Sequence, residues 1–309
     1  MVRYLALRIV QAIIVAFLIS LATFFLLFIA GNPVHLMVGE GATTGQIAQF
    51  SHQLGLDQPI LSRYIRFVAG MLAGNFGESL FMRGQPALGA VLARVPATLE
   101  LAAAALFSTL VLALVLGIAA AVKRSGPFDH AVLLGAALAQ GVPSFWFGIA
   151  LIMLFSVHLH WLPFAGMGTW RHLVMPCATL DLYLLPTFVR LIRSRFVDVL
   201  REDYIRTARA KGLGEPRVYV RHALRNASAP IIAALGLQSG HFFGGVVVVE
   251  TIFGWPGAAS LIVSSVVQFD YPVVQAGVIV VALMIASSNL LADAALALSD
   301  PRVRYASPE

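Results

Sequence analysis

Four groups of residues carry types and spacings that could do chemistry. Asp181 stands between Pro176 and Pro186, inside an apolar run long enough to cross a bilayer. An ionisable group at that depth is expensive and usually faces protein or water. Asp181 therefore reads either as a polar patch on a translocation path or as a structural acid bonded to a neighbouring helix. Gly236, Gly240 and Gly244 recur every four residues, with Gln238 and His241 beside them. That spacing lines one helix face and permits close backbone approach. Such a face packs within the chain, packs against a partner span or lines a pore, and the stripe alone does not choose. His158, His160 and His172 are close in sequence, but neutral imidazoles in an interfacial loop are more often hydrogen-bonded than ligating, so no metal site is assigned. The fourth group is the basic stretch from Asp203, DYIRTARAKGLGEPRVYVRHALRNASAP.

Other chemistry is excluded by what is missing. No G-x-x-x-x-G-K-[ST] phosphate loop, H-E-x-x-H or G-x-S-x-G motif occurs, so the chain has no phosphate cradle, zinc helix or nucleophile elbow of those kinds. An intramembrane enzyme would need a nucleophile–base pair or a metal cluster at depth, and Asp181 has no sequence-evident partner. No catalytic residue and no cofactor is assigned to the chain.

The elements that must position these residues are membrane helices. Of 309 residues, 59% are hydrophobic and 12% charged, against roughly 45–50% and about 25% in soluble domains. Too little polar surface remains to cover a water-soluble globule. The single cysteine, Cys177, cannot form an internal disulfide. A span needs about 20 apolar residues, and six windows qualify: roughly 9–30, 97–122, 131–157, 173–193, 229–249 and 273–297. The first is too long for a signal-peptide core and is read as an uncleaved span.

Charge placement sets the orientation. Of the 21 Lys and Arg, only Arg63, Arg66, Arg83, Arg94 and Arg171 fall outside when both termini are cytoplasmic. The net charge of +6 is thus a topology signal and not a nucleic-acid footprint. The expected fold is all-α and polytopic. Residues 1–30 form the first span, 31–95 an extracytoplasmic insert, and 96–309 a five-helix domain containing a cytoplasmic loop at 195–228. Within the insert, Thr44 is expected to cap a helix ended by Gly55. Pro59 suits the first turn of a second helix, Ile60 to Ala73, and turns follow at Asn75–Gly77 and Arg83–Pro86. In the loop, residues 202–211 predict a short helix ended by Gly212, and Pro216 opens a second running towards Arg225.

That loop resembles the coupling loop of ATP-binding-cassette (ABC) importer permeases. Gly212 falls on the family's near-fixed glycine and Ala208 on the second alanine of its EAA signature. Arg206 stands where the signature has glutamate, Thr207 where it has the first alanine, and the proline comes later, at Pro230. The resemblance runs the length of the chain: LGLDQP (54–59), GNFGESL (74–80), PATLELA (96–102), RTARAKGL (206–213), RHALRNA (221–227), ETIFGWPG (250–257), DYPVVQA (270–276) and DPRVRY (300–305). All are similar to the dipeptide, oligopeptide and nickel branch.

The resemblance implies one of two permease subunits of an ATP-driven importer in a bacterial inner membrane, paired with a second permease. An external substrate-binding protein would deliver cargo, and two ATPases holding ATP and Mg would dock on the loops. Arg206, Thr207, Ala208, Arg209, Lys211 and Gly212 would couple to an ATPase. Asp181, Gly236, Gln238, Gly240, His241 and Gly244 remain candidates for the translocation path. Di- or oligopeptides are the leading cargo, with nickel or a metal chelate the alternative. An ion-coupled secondary transporter is the more distant one, and no matching inverted halves support it.

Overall fold

The computed structural model describes residues 2–30, 43–53, 57–82 and 84–299. Gly55, Arg83 and the DPRVRY stretch lie outside the described residues. Among the described residues the chain is all-helical, apart from an isolated bridge between Glu78 and Pro86. In chain order the helices are α1 (Val2–Ala30), α2 (Thr44–Gln53), α3 (Ile60–Leu72), α4 (Ala87–Val122), α5 (Pro127–Gly141), α6 (Ser144–Leu151) and α7 (Trp170–Val199). They continue as α8 (Asp203–Ala210), the single turn α9 (Glu215–Arg217), α10 (Leu224–Ile252), α11 (Ala258–Val267) and α12 (Tyr271–Ser299). Ile152–His158 and Val218–Ala223 are wound more widely, as π-helix.

Three helices are each long and apolar enough to cross a membrane: Ala87–Val122, Trp170–Val199 and Tyr271–Ala295. Two bent pairs raise the number to five among the described residues. The chain is therefore a polytopic membrane protein. One bent pair corrects the expectation of a single straight span over 131–157: α5 and the helix from Ser144 to His158 meet at 102°. The cause is local. Val142, the residue before Pro143, is extended at φ −90° and ψ 122°, because a following proline disfavours the helical region.

Several helices also outrun their apolar windows. α4 has 36 residues and contains Pro96. At 1.5 Å per residue it is roughly 54 Å long, well beyond a 30 Å hydrocarbon core. α7 runs to Val199, so the first residues expected in the loop are helical. The second loop helix does not stop near Arg225; it passes through the wide turns Val218–Ala223 directly into α10. The ten-residue α11 was not expected from the sequence.

The chain divides into two compact units, one of residues 1–98 and 256–286, the other of 99–255 and 287–309. In the first unit, Ala87 and Val91 of α4, Ala258 and Leu261 of α11, and Val273, Ala276 and Val280 of α12 form a buried apolar cluster. The N-cap of α11 is Gly257, which has no side chain to offer. The Thr98 hydroxyl replaces it by accepting the Ala258 N–H at 2.8 Å, which satisfies one of the free donors of the helix start. α3 lies against α1 through aromatic rings, Tyr64 and Phe67 standing 5.2 and 5.9 Å from Phe24. α2 is capped by Thr43, one residue before the expected Thr44. Its hydroxyl accepts the Gln46 N–H at 3.4 Å while Gln46 Oε1 accepts the Thr43 N–H at 3.0 Å, a capping box.

In the second unit α7 is the hub. Leu180, Leu184, Phe188, Ile192 and Phe196 recur every four residues and are all buried. Neighbouring helices approach α7 at glycines. A Cβ on Gly117 of α4 would sit 2.8 Å from Ile192, and one on Gly245 of α10 would sit 2.8 Å from the Tyr183 ring. Replacing either glycine would force overpacking.

Candidate functional site

The basic loop is built as a rigid projection. α8 buries Ile205 and Ala208, one helical turn apart, and leaves Arg206, Thr207, Arg209, Lys211 and Gly212 exposed. Of the six residues assigned to coupling, Ala208 is therefore the inward anchor, which explains a small side chain there. The helix closes on Gly212, whose φ of +77° lies in the left-handed region. The Gly212 N–H donates to Arg209 O at 2.9 Å and the Leu213 N–H to Ala208 O at 3.3 Å. Those two bonds are a complete Schellman termination.

Beyond the glycine, Arg209 grips Glu215 with two hydrogen bonds of 2.8 and 3.1 Å. The Glu215 carboxylate holds the Arg209 guanidinium above its usual range, the hydrogen bond being the main cause. This bidentate pair ties α8 to the start of α9. Thr207 donates its hydroxyl to Asp203 O at 3.0 Å. The Arg206–Asp203 pair is 3.5 Å apart with both side chains almost fully exposed, so it adds little. Lys211 and Arg206 thus point a basic surface outward from a clamped frame.

Asp181 finds partners that no sequence pattern announced. It is 7% exposed. Thr109 of α4 donates its hydroxyl to Oδ1 at 2.5 Å, and Ser108 Oγ lies 2.9 Å from the same oxygen and 3.2 Å from Oδ2. Two adjacent hydroxyls of one helix thus hold the carboxylate of another, satisfying a polar group in an apolar setting.

The glycine stripe of α10 is not uniform. A Cβ on Gly236 would stand 2.8 Å from the Ala292 Cβ of α12, whereas Gly240 and Gly244 have nothing within 4 Å. Gly240, His241 and Gly244 are exposed together with Leu237, which is 83% exposed. Gln238 is half-buried. The stripe therefore splits into one internal packing position and one open face. Gly245, one residue outside the repeat, packs as closely as Gly236, against the Tyr183 ring.

The three histidines do not converge. The His172 ring caps the start of α7, with Nδ1 2.9 Å from the Thr169 hydroxyl and accepting the Thr169 N–H at 3.2 Å. His160 Nδ1 lies 3.3 Å from the carbonyl of His158.

Two polar centres escaped sequence reasoning. Arg193 of α7 donates to Asp129 of α5 at 2.9 and 2.6 Å, and Asp129 is 2% exposed. By sequence Arg193 is one more charge of the cytoplasmic bias, yet here it compensates a buried acid. In the first unit, Asp270 accepts the Ser79 hydroxyl and the Leu80 N–H, the latter at 3.1 Å. Ser79 Oγ in turn accepts the Met82 N–H at 2.8 Å. Phe269, with φ +57°, ends α11 and swings Asp270 into place. A non-glycine residue there costs about 1–2 kcal/mol, the kind of strain that persists where the surroundings over-determine it. This latch joins GNFGESL to DYPVVQA, two motifs some 190 residues apart. The signal in the sequence was their shared resemblance to one family; their pairing in space was not visible.

Comparison with known proteins decides the family. Residues 113–305 match the family described as binding-protein-dependent transport system inner membrane component, and residues 1–113 match the N-terminal region of that membrane component. The chain belongs to this family. It is 38% identical to the di/tripeptide transport system permease protein DppB of Pseudomonas aeruginosa, covering 99% of both chains. It is 35% identical to the oligopeptide transport system permease protein AppB of Bacillus subtilis, over 99% of this chain and 100% of the other. The glutathione transport system permease protein GsiC of Escherichia coli K12 is 37% identical over the same shares. The resemblance drawn from the coupling loop and the dispersed motifs thus holds for the whole chain. This membrane component is a transport subunit, seated in a membrane by several helices.

Proposed function

We propose that the chain is a permease subunit of an ATP-driven importer of di- or oligopeptides. The observation that carries the mechanism is the clamped α8–Gly212–Glu215 frame: a short helix, anchored through Ile205 and Ala208, closed by a Schellman termination and tied to Glu215 by Arg209. The full-length relatives whose names specify di/tripeptides, oligopeptides and glutathione support peptide cargo over nickel.

In this reading six spans cross the membrane, formed by α1, α4, the bent α5–α6 pair, α7, α10 and α12, with both termini in the cytoplasm. The exposed Arg206, Thr207, Lys211 and Gly212 sit in a cleft of an ATPase, where ATP and Mg are bound by that partner. Closure of two ATPases swings the frame. Because the wide turns Val218–Ala223 run unbroken into α10 as far as its 55° bend between Gln238 and Gly240, motion of the frame tilts that first part of the span directly, an instance of rigid-body coupling. The open face Leu237–Gly240–His241–Gly244 then lies against the second permease, along the path of the peptide delivered by an external binding protein. Asp181, held by Ser108 and Thr109, fixes α7 to α4 and acts as scaffold for that path.

The test is a mild-detergent affinity purification of the tagged chain followed by uptake in a deletion strain. Recovery of a second permease and ATPases, with loss of growth on dipeptides in the deletion strain, supports the reading. Loss of nickel accumulation with dipeptide growth intact transfers the cargo to nickel. Recovery of the chain alone, moving solute in liposomes without ATP, refutes the importer reading.

A further inference from the structure

In the second unit an apolar groove of about 390 Å³ runs along the end of α4. Leu114, Val115, Ile118 and Val122 form its wall and Tyr219, from the wide turns after α8, closes it. Lys123 stands at one end of the groove and lines it. Val115 is 61% exposed and Val122 42% exposed, so this strip of α4 offers branched side chains to whatever solvates it.

The charge pattern at the groove's end selects the occupant. Lys123 and Arg124 follow each other where α4 stops, both exposed. The Lys123 ammonium is 5.2 Å from the Phe128 ring. Among the described residues no carboxylate pairs with either cation. Arg217 and Arg221, on the segment that carries Tyr219, are exposed as well. An apolar slot with Lys123 in its wall and Arg124 next in the chain, at the end of a membrane helix, matches a lipid whose tail is apolar and whose headgroup is negative. Basic pockets at the cytoplasmic ends of spans bind such headgroups.

We propose that this groove holds an acyl chain of one anionic phospholipid of the cytoplasmic leaflet, with its phosphate on Lys123 and Arg124. The lipid touches α4 and the Val218–Ala223 segment together, and so occupies the joint between a span and the coupling frame. Only the choice of leaflet rests on the topology proposed above. Lipid retention is read without reference to sidedness or transport, so failure of the importer reading and failure of this inference give separate results.

The full chain is reconstituted in nanodiscs of equal parts phosphatidylcholine and phosphatidylglycerol, and retained lipids are counted by native mass spectrometry. The wild type keeps phosphatidylglycerol in preference to phosphatidylcholine. Lys123→Gln lowers that retention about fivefold, the worth of one interfacial cation. Val115→Trp, which fills the slot from its open side, removes bound lipid of both kinds. Arg190→Gln, at an exposed cation of α7 that does not line the groove, leaves retention unchanged. Equal retention of the two lipids, no effect of Lys123→Gln, or an equal effect of Arg190→Gln overturns the proposal.

Discussion

The sharpest prediction concerns Gly212, because its surroundings separate two effects that a single substitution would confound. Its φ is +77° and a Cβ placed on it meets nothing within 4 Å. Any non-glycine side chain therefore pays the left-handed backbone cost of about 1–2 kcal/mol, and within the chain size adds nothing to it. Gly212→Ala and Gly212→Trp should thus loosen the Schellman closure equally, by roughly 5- to 30-fold in the open-to-closed ratio at 1.4 kcal/mol per decade. Limited trypsin cleavage at Arg209 and Lys211 in membranes measures that opening, and the two variants should be cut at the same rate. Uptake separates them. If the space beside Gly212 is filled by a docked ATPase, Ala retains partial dipeptide uptake while Trp abolishes it at equal membrane abundance. Equal uptake by the two variants would show that nothing docks at Gly212, and the coupling assignment would fall.

Other outcomes follow from the buried polar centres. Asp181→Ala leaves the Thr109 hydroxyl without its acceptor, while Ser108 keeps the Ala105 carbonyl at 2.9 Å, a loss of about 1–3 kcal/mol; membrane abundance should drop while uptake per copy holds, and the reverse pattern would place Asp181 on the cargo path. Arg193→Met strands the buried Asp129 carboxylate and should destabilise the purified chain by about 3 kcal/mol, with Asp129→Leu in the same chain restoring most of it; detergent melting curves of the single and double variants measure this, and additive losses would refute the pairing. Ser79→Ala and Asp270→Asn should each lower the melting temperature but together cost less than their sum, because both remove one latch. Full additivity there would mean that the two residues act separately.

The contrast between sequence and structure is clearest at particular residues. Hydrophobic windows and the Lys/Arg bias depend only on transfer free energy along the chain, so the membrane class and all-helical fold were legible before any coordinates. Gly212 was legible for a similar reason: a left-handed helix end is a local backbone requirement, and glycine meets it at the lowest cost. The helical face Ile205–Ala208 was also local, although nothing in the loop told that Ala208 faces inward.

Tertiary structure alone decided the rest, because those features depend on which distant segments meet. Asp181 gained its two hydroxyls from a helix 72 residues earlier, and Ser108 and Thr109 are ordinary residues in an apolar run until that helix lies beside α7. Arg193 has the same composition signature as a topology charge; only the approach of α5 makes it the partner of Asp129. The regular spacing of Gly236, Gly240 and Gly244 gave one face, yet its meaning changes at Ala292, which covers the first glycine and leaves the others open. The break at Val142–Pro143 was written in the sequence as a proline, but its 102° angle was not. Periodicity reports which side of a helix is apolar, while the identity of the neighbour, and so the choice between packing, pairing and function, is settled by the path of the whole chain.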